Sequence, residues 1–570
     1  MDITQLIRAA RGDRPVDLLL TDARIIDVFT GRIINGHIAI FDGHIAGIGD
    51  YPAERTISLG NRFVAPGFID AHVHIESAKV SVAEFARAVL PRGTTTVIAD
   101  PHEIANVLGT DGIAWMLAEA ERQPMTLLFA LPSCVPATSM ETSGAVLDAE
   151  SLAPFLSHER IVGLGEMMNF PGVLSGDNDV MEKIRNAHAH RKPVDGHAPG
   201  LSGRDLAAYV AAGISTDHET VSADEAMEKL SAGMYIMIRE GTGARNLDAL
   251  IPVITPYTEP YLMLCTDDRH PSDIVTEGHI DFLIRKAVRA GVDPMAAIRM
   301  ATINPARCFG LTRTGAVAPG RRADLVVLSD LETLSVEQVY SGGILVAENG
   351  EMHPAIETPR TRPCPSAMHV RPGALDLSIL ADGKNIRVIE LIPDQIVTRQ
   401  RIMEAAVTDR FAVSDPGRDL LKMVVVERHK GTGNIGKGFV TGFGLLKGAL
   451  ASSVAHDSHN IIAVGVDDAD IRAAIAAVIE REGGLVVVSG GQVDAALALP
   501  IAGLMATEPL ARVREQFDAL NHAACALGAR PADPFMILSF LALPVIPELK
   551  LTDRGPFDVT QFAHVPLFAE

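Results

Sequence analysis

The 570-residue sequence predicts an α/β protein: a (β/α)8 barrel inserted in a small β-sandwich domain and followed by an α+β domain. Three observations predict it. Residues 63–311 carry eight short apolar runs that end in polar residues, most of them separated by segments of helical character. Two distant segments, 1–62 and 312–365, share a nearly alternating apolar and polar pattern. Residues 366–570 mix strand-like and helix-like stretches in a different rhythm. Length alone suggests about four domains; these patterns reduce the expectation to three.

The elements follow in chain order. DLLLTDARIIDVFTGRI and GHIAIFDGHIAGIGD, within 16–60, alternate and are punctuated by DG and TG turns, an antiparallel signature. GAVAPGRRADLVVLSD and GGILVAENGEM, within 315–350, have the same character and are expected to complete that small domain. Between them lie FVAPGFIDAHVH, TTTVIADPHE, TLLFALPSCVPA, IVGLGEMMNF, KPVDGHAP, GISTDHE, YIMIREGT and YLMLCTDDRHP. Eight strand-plus-helix units in about 250 residues match a (β/α)8 barrel, whose catalytic groups sit at the C-terminal ends of the strands. TPRTRPCPSAM at 358–368 is polar and proline-rich and predicts a linker. LKMVVVERH, IIAVGV and GGLVVVSGG read as strands of the last domain, with DIRAAIAAVIEREG and EPLARVREQFDALNHAACALG as its helices.

Composition excludes several classes. Apolar residues make up 47% and charged residues 21%, so the chain is globular rather than disordered or fibrous. A net charge of −21 repels phosphate backbones and argues against nucleic acid as a partner. Five scattered cysteines (134, 265, 308, 364 and 525) do not form a disulfide framework. Neither a secretory h-region nor an 18-residue apolar stretch is visible, so a cytoplasmic chain without a membrane partner is expected. The apolar stretch FMILSFLALPVIP at 535–547 is short, broken by proline, and reads as buried core.

Chemistry concentrates at the ends of the barrel runs. His72 and His74 are two apart on a strand, so both imidazoles face one side. Glu166 ends the fourth run, His197 the fifth, His218 the sixth, and Asp267 and Asp268 the eighth. Imidazole and carboxylate in one ring suit Zn, Fe or Mn, and a carboxylate such as Glu166 can bridge two ions. Asp100 and His102 end the second run. A carboxylate there can accept from a ring N–H or, protonated, donate to a ring nitrogen; the Asp-Pro pair also reads as a plain turn. Glu76 and Ser77 stand where they could orient ligands; Asp268, Arg269 and His270 could line the mouth or form structural salt bridges. His456, Asp457, His459 and Asn460 cluster in the last domain. They read either as a loop that completes the site, from the same or a neighbouring subunit, or as a hydrogen-bonded turn.

These residues carry a resemblance. His72-x-His74, His197, His218 and Asp267 resemble the metal signature of the amidohydrolase superfamily, with Glu166 where many binuclear members use a carbamylated lysine. PGFIDAHVHIES (66–77), GTTTVIADPHEIANVLG (93–109), GEMMNFPGV (165–173), GHAPGLSG (196–203), TDHE (216–219), CTDDRHP (265–271) and SSVAHDSHNI (452–461) resemble the adenine deaminase family, from near residue 16 to about 570. The resemblance implies two divalent ions, Mn or Fe and less commonly Zn, held by His72, His74, Glu166, His197, His218 and Asp267. It implies conversion of adenine to hypoxanthine and ammonia by a homo-oligomer, a dimer being the expected form. Asp267, Glu166 and Asp100 are then the candidate catalytic residues, with Asp267 taking the proton of the attacking water. Asp100, His102, Glu76 and Asp268 are the candidate substrate contacts. A deaminase of another heterocycle, an amide hydrolase, or a silent binding protein on the same scaffold are the alternatives; the last predicts lost ligands, and the set is complete.

Three look-alikes are set aside. GTGNIGKG at 431–438 approaches a phosphate loop but places Gly438 where a hydroxyl should bind Mg²⁺, so a glycine-rich turn is expected. His74-x-Glu76 mimics the zinc deaminases, yet Pro363-Cys364 lacks the second cysteine. His188 and His190 sit in a charged helical stretch and read as a solvated face.

Overall fold

A computed structural model describes residues 2–357, 359–371, 375–393 and 395–569. Position 358 of the expected linker and positions 372–374, 394 and 570 of the expected last domain lie outside the described residues.

All eight apolar runs become parallel strands. They are β1 (Phe68–Val73), β2 (Thr94–Ala99), β3 (Thr126–Leu131), β4 (Ile161–Met167), β5 (Val194–Gly196), β6 (Thr216–Asp217), β7 (Tyr235–Arg239) and β8 (Leu262–Cys265). β1 to β5 pair in chain order in one sheet, and β6 to β8 in a second. Parallel bridges meet at both seams, Val194 with Ile214 and Val73 with Asp267. The runs are apolar throughout because both faces of a parallel strand are covered; every residue of β1, β2 and β8 is buried.

The two flanking segments do meet. Strands from Val16–Asp27 to Phe63–Pro66 join Leu325–Leu328, Val336–Ser341, Ile344–Glu348 and Glu351–Met352 in one mixed sheet of nine strands. A sandwich of two separate sheets was expected; here one hydrogen-bonded sheet curls over its own core of Leu20, Ile25, Ile40, Val64, Leu325 and Val327. The curl brings its edge strand back to the entry of Leu325–Leu328, where Ile45 N donates to the Arg321 carbonyl at 2.8 Å.

The last third is a second nine-stranded sheet, mostly antiparallel, running from Thr398–Glu404 at one edge to Gln492–Ala498 at the other. Helix Asp468–Glu480 covers one face, burying Ile471, Ile475 and Val478 against Val424, Ile461 and Val486. Asp467 caps that helix by accepting from Ala469 N and Asp470 N. Helix Leu510–Ala526 lies on the other face, in an apolar cluster that continues into the barrel through Phe85, Val89 and Ile104. The GTGNIGKG segment is a turn leading into strand Ile435–Thr441, and a side chain at Gly436 would strike the Thr552 carbonyl. It opens no helix, so the phosphate-loop geometry is absent there. The apolar stretch near 535 begins as the short helix Pro534–Phe540, with Phe535 and Leu538 buried. His188 and His190 are exposed, as expected. No described helix is long and apolar enough to cross a membrane.

Candidate metal centre and substrate chamber

The strand ends bring the predicted ligands together. His72 and His74 leave β1 on one face, Glu166 leaves β4, His197 and His218 follow β5 and β6, and Asp267 follows β8. His72, His74, Glu166 and His218 are all under 5% exposed. His72 Nδ1 lies 2.9 Å from Asp195 Oδ2, and His74 Nδ1 lies 3.0 Å from the Asp100 carbonyl oxygen. Both partners only accept, so each Nδ1 carries a proton, which leaves Nε2 as the atom each ring offers to a metal. Those two Nε2 atoms stand 3.1 Å apart. Two lone pairs held that close repel each other unless a cation lies between them.

Glu166 divides the cluster in two. Its Oε1 lies 3.3 Å from His74 Nε2 and 3.9 Å from His72 Nε2; its Oε2 lies 2.6 Å from His197 Nδ1 and 3.4 Å from His218 Nε2. Asp267 Oδ1 closes the first group, 3.2 Å from His74 Nε2 and 3.5 Å from His72 Nε2. Glu166 Oε1 is buried with no hydrogen-bond partner. An orphaned carboxylate oxygen facing bare imidazole nitrogens suits a divalent ion, so the residues fit the metal their chemistry implies. Burial opposes ionisation of Glu166, but His102, His197, His218 and His74 outweigh it and keep the carboxyl well below its ordinary range. Burial likewise opposes protonation of His74, and Asp267 and Glu166 reverse it.

The remaining candidates divide. Asp100 Oδ2 accepts from the Glu166 backbone N–H at 3.0 Å, and its Oδ1 lies 3.7 Å from His102 Nδ1. His102 Nδ1 is also 3.2 Å from Glu166 Oε1. Glu76, Ser77 and Asp268 face a chamber between the barrel mouth and the last domain, whose far wall includes Phe517, Phe535 and Phe540. Glu76 Oε1 accepts from Ile104 N at 3.2 Å, while its buried Oε2 has no partner. Ser77 donates to Asp268. Asp100 and His102 stand behind the chamber wall, within the histidine cluster.

Three residues of the centre went unread in the sequence. Asp195 fixes His72; its signal lay in the DGH triplet that ends β5. Arg239, at the end of β7, reaches Asp267 Oδ2 at 3.3 Å and pairs with Glu219 through both terminal nitrogens. Burial opposes that charge, but Glu219 and Asp267 raise the guanidinium pKa further. Glu219 was in view only as the last residue of TDHE.

The loop at 452–460 meets the barrel of its own chain. His456 Nδ1 lies 2.7 Å from Glu103 Oε1, and His459 Nε2 pairs with Glu103 Oε2. Asn460 donates to the Thr142 carbonyl at 2.8 Å.

Comparison with known proteins agrees with this geometry. Residues 63–346 match the amidohydrolase family, and residues 395–563 match the adenine deaminase C-terminal domain. The chain is 54% identical to adenine deaminase of Desulfatibacillum aliphaticivorans over 564 residues, covering 99% of each chain. It is 52% identical to adenine deaminase of Methanothrix thermoacetophila over 572 residues, covering all of both. Adenine deaminase 2 of Carboxydothermus hydrogenoformans is 46% identical over 99% of each chain. With its histidine-rich barrel mouth and its matching last domain, the chain belongs to the adenine deaminase family of the amidohydrolases.

Proposed function

We propose that the protein hydrolyses adenine to hypoxanthine and ammonia. The observation that carries this reading is Glu166, shared by two pairs of imidazoles beside a chamber edged with carboxylates. Full-length likeness to adenine deaminases supports the choice of substrate. The layout supports three units: residues 1–62 with 312–365, a closed (β/α)8 barrel over 63–311, and an α+β unit over 366–570. The donor set supports divalent metal held by His72, His74, Glu166, His197, His218 and Asp267; the family resemblance makes the count two and the ions Mn or Fe before Zn. Such ions supply Lewis acidity that lowers the pKa of water towards neutrality.

The chain's own residues do the rest. Asp267 accepts the proton of the attacking water and passes it to the departing amine; Arg239 fixes its Oδ2 and leaves Oδ1 turned to the histidines. Asp100 positions Glu166 through the backbone and keeps Oδ1 beside His102 for proton relay. Glu76 and Asp268 hold the edge of the purine in the chamber. We expect a cytoplasmic homodimer, which size-exclusion chromatography tests. Purification after Mn²⁺ supplementation, metal counting, and parallel assays of adenine loss and ammonia release test the reading. Metal-loaded protein that leaves adenine intact would refute it.

A further inference from the structure

The Glu103–His456–His459 cluster is the most distinctive feature that this reaction leaves unused. It spans two sequence regions more than 350 residues apart and lines the chamber. It resembles a third metal site, but the hydrogen bonds argue otherwise. His459 Nδ1 accepts from the Ala455 N–H at 3.2 Å, so that nitrogen carries no proton. Its Nε2 therefore does, and points it at Glu103. A protonated nitrogen offers no lone pair to a metal.

His456 is placed differently. Its ring stacks on Phe540, with centroids 4.8 Å apart and planes at 22°. Its Nδ1 is committed to Glu103. Its Nε2 makes no hydrogen bond with any described residue, and the side chain keeps 12% of its surface exposed. Burial pulls its pKa down, but Glu103 raises it to about 9, so the ring is an imidazolium whose Nε2–H lacks a partner. The other polar groups of the chamber differ. Glu76 and Asp268 are acceptors, His270 Nδ1 lies 3.2 Å from Asp533, and Lys79 Nζ is directed at the Ser77 carbonyl and over the Phe517 ring. A purine edge needs both kinds of partner: its N–H groups need acceptors, and its ring nitrogens need a donor.

Building on the adenine reading, we propose that His456 is a substrate-binding, specificity-determining residue whose Nε2–H donates to a ring nitrogen of the purine. The acceptors come from the barrel and the donor from the last domain of the same chain. Glu103 and Phe540 hold the imidazole in place, and His459 holds Glu103.

Adenine and its 1-, 3- and 7-deaza analogues, each lacking one ring nitrogen, test this on the metal-loaded full-length enzyme. The wild type is expected to bind one analogue about 10- to 100-fold more weakly than adenine, the usual worth of a hydrogen bond to a charged group. His456→Phe keeps the stack on Phe540 and is expected to lose kcat/KM for adenine by a similar factor at unchanged metal content. It should also bind that analogue as well as it binds adenine. His456→Gln, which keeps an N–H donor, should regain part of both. Unchanged discrimination in His456→Phe would overturn the proposal, as would an equal loss for adenine and all three analogues. If the wild type leaves adenine intact, the proposed reaction falls, and calorimetric binding of the same four purines still decides the role of His456.

Discussion

At Asp267 several demands meet on one residue. Its backbone is left-handed, with φ of 55°, a conformation that few side chains other than Asp and Asn adopt readily. That turn lets Asp267 N donate to the His72 carbonyl at 3.0 Å while its carboxylate lies between Arg239 and the two imidazoles. Asp267→Asn is expected to lower kcat by about 10²- to 10⁴-fold, the range of a lost proton-transfer group, with folding unchanged by circular dichroism. Wild-type turnover in that variant would remove the role. The imidazoles carry a pH prediction. Burial opposes charge on His74 and His218, but Asp267 and Glu166 for the first, and Asp195 and Glu166 for the second, raise both well above the ordinary imidazole value. A raised imidazole pKa means that a metal ion must compete with protons for these rings. Loading the apoprotein should therefore release protons, and affinity should fall as pH drops. Calorimetry in buffers of different ionisation enthalpy measures this; zero release would contradict the ligand set. His72 and His74 were legible because their spacing announces a shared face. Arg239 was not, because it ends an ordinary apolar run and its partners, Glu219 and Asp267, lie 20 and 28 residues away.

Among the elements, even the shortest strands carry a sequence signal. β6 is two residues long, yet its run stood out because Asp217 and His218 end it. Gly196 at the end of β5 passes so close to the Thr216 carbonyl that a Cβ there would clash, which explains a glycine before His197. The loop at 452–460 could not be assigned from its sequence, since what holds it lies elsewhere. Arg428 is fully buried and its guanidinium donates to the carbonyls of His459, Ala367 and Ala502. Replacing Arg428 with Met would leave three buried carbonyls unpaired. The expected loss is about 3 kcal/mol or more, read as a lower thermal midpoint, together with weakened adenine binding as His456 shifts. A variant as stable as the wild type would show that the loop is held by other contacts.

On the scale of the whole molecule, the last third is bound to the barrel rather than appended to it. One apolar cluster runs from Phe85, Val89 and Ile104 of the barrel to Met505, Val513 and Leu538 of the last sheet and its helices. Ala506 also exchanges backbone hydrogen bonds with the loop after β1, donating to Lys79 O at 2.9 Å and accepting from Ser81 N at 3.0 Å. A fragment ending near residue 365 should therefore expose this apolar face and aggregate, measured as loss of soluble protein; a soluble, metal-binding fragment would contradict it. Even the linker is tied down, with Trp115 Nε1 donating to the Pro363 carbonyl at 3.3 Å. Its proline content reads as a linker, and composition does not show that a helix face will hold it. The mixed α/β content and the series of parallel strands were legible because the apolar runs recur with their own periodicity. The curl of the first sheet was not, because alternation fixes which side faces inward and not how far a sheet bends.

The seam between β1 and β8 also bears on the life of the chain before it is an enzyme. His72 and Asp267 are backbone neighbours in space but nearly two hundred residues apart in sequence. At 5–20 residues per second, a ribosome takes roughly 10–40 s to make the stretch between them. On the proposed ligand set the site is complete only once Asp267 has emerged, so metal uptake should follow synthesis of that stretch. Growth conditions at induction, rather than ligand identity alone, should set which ion the purified protein carries.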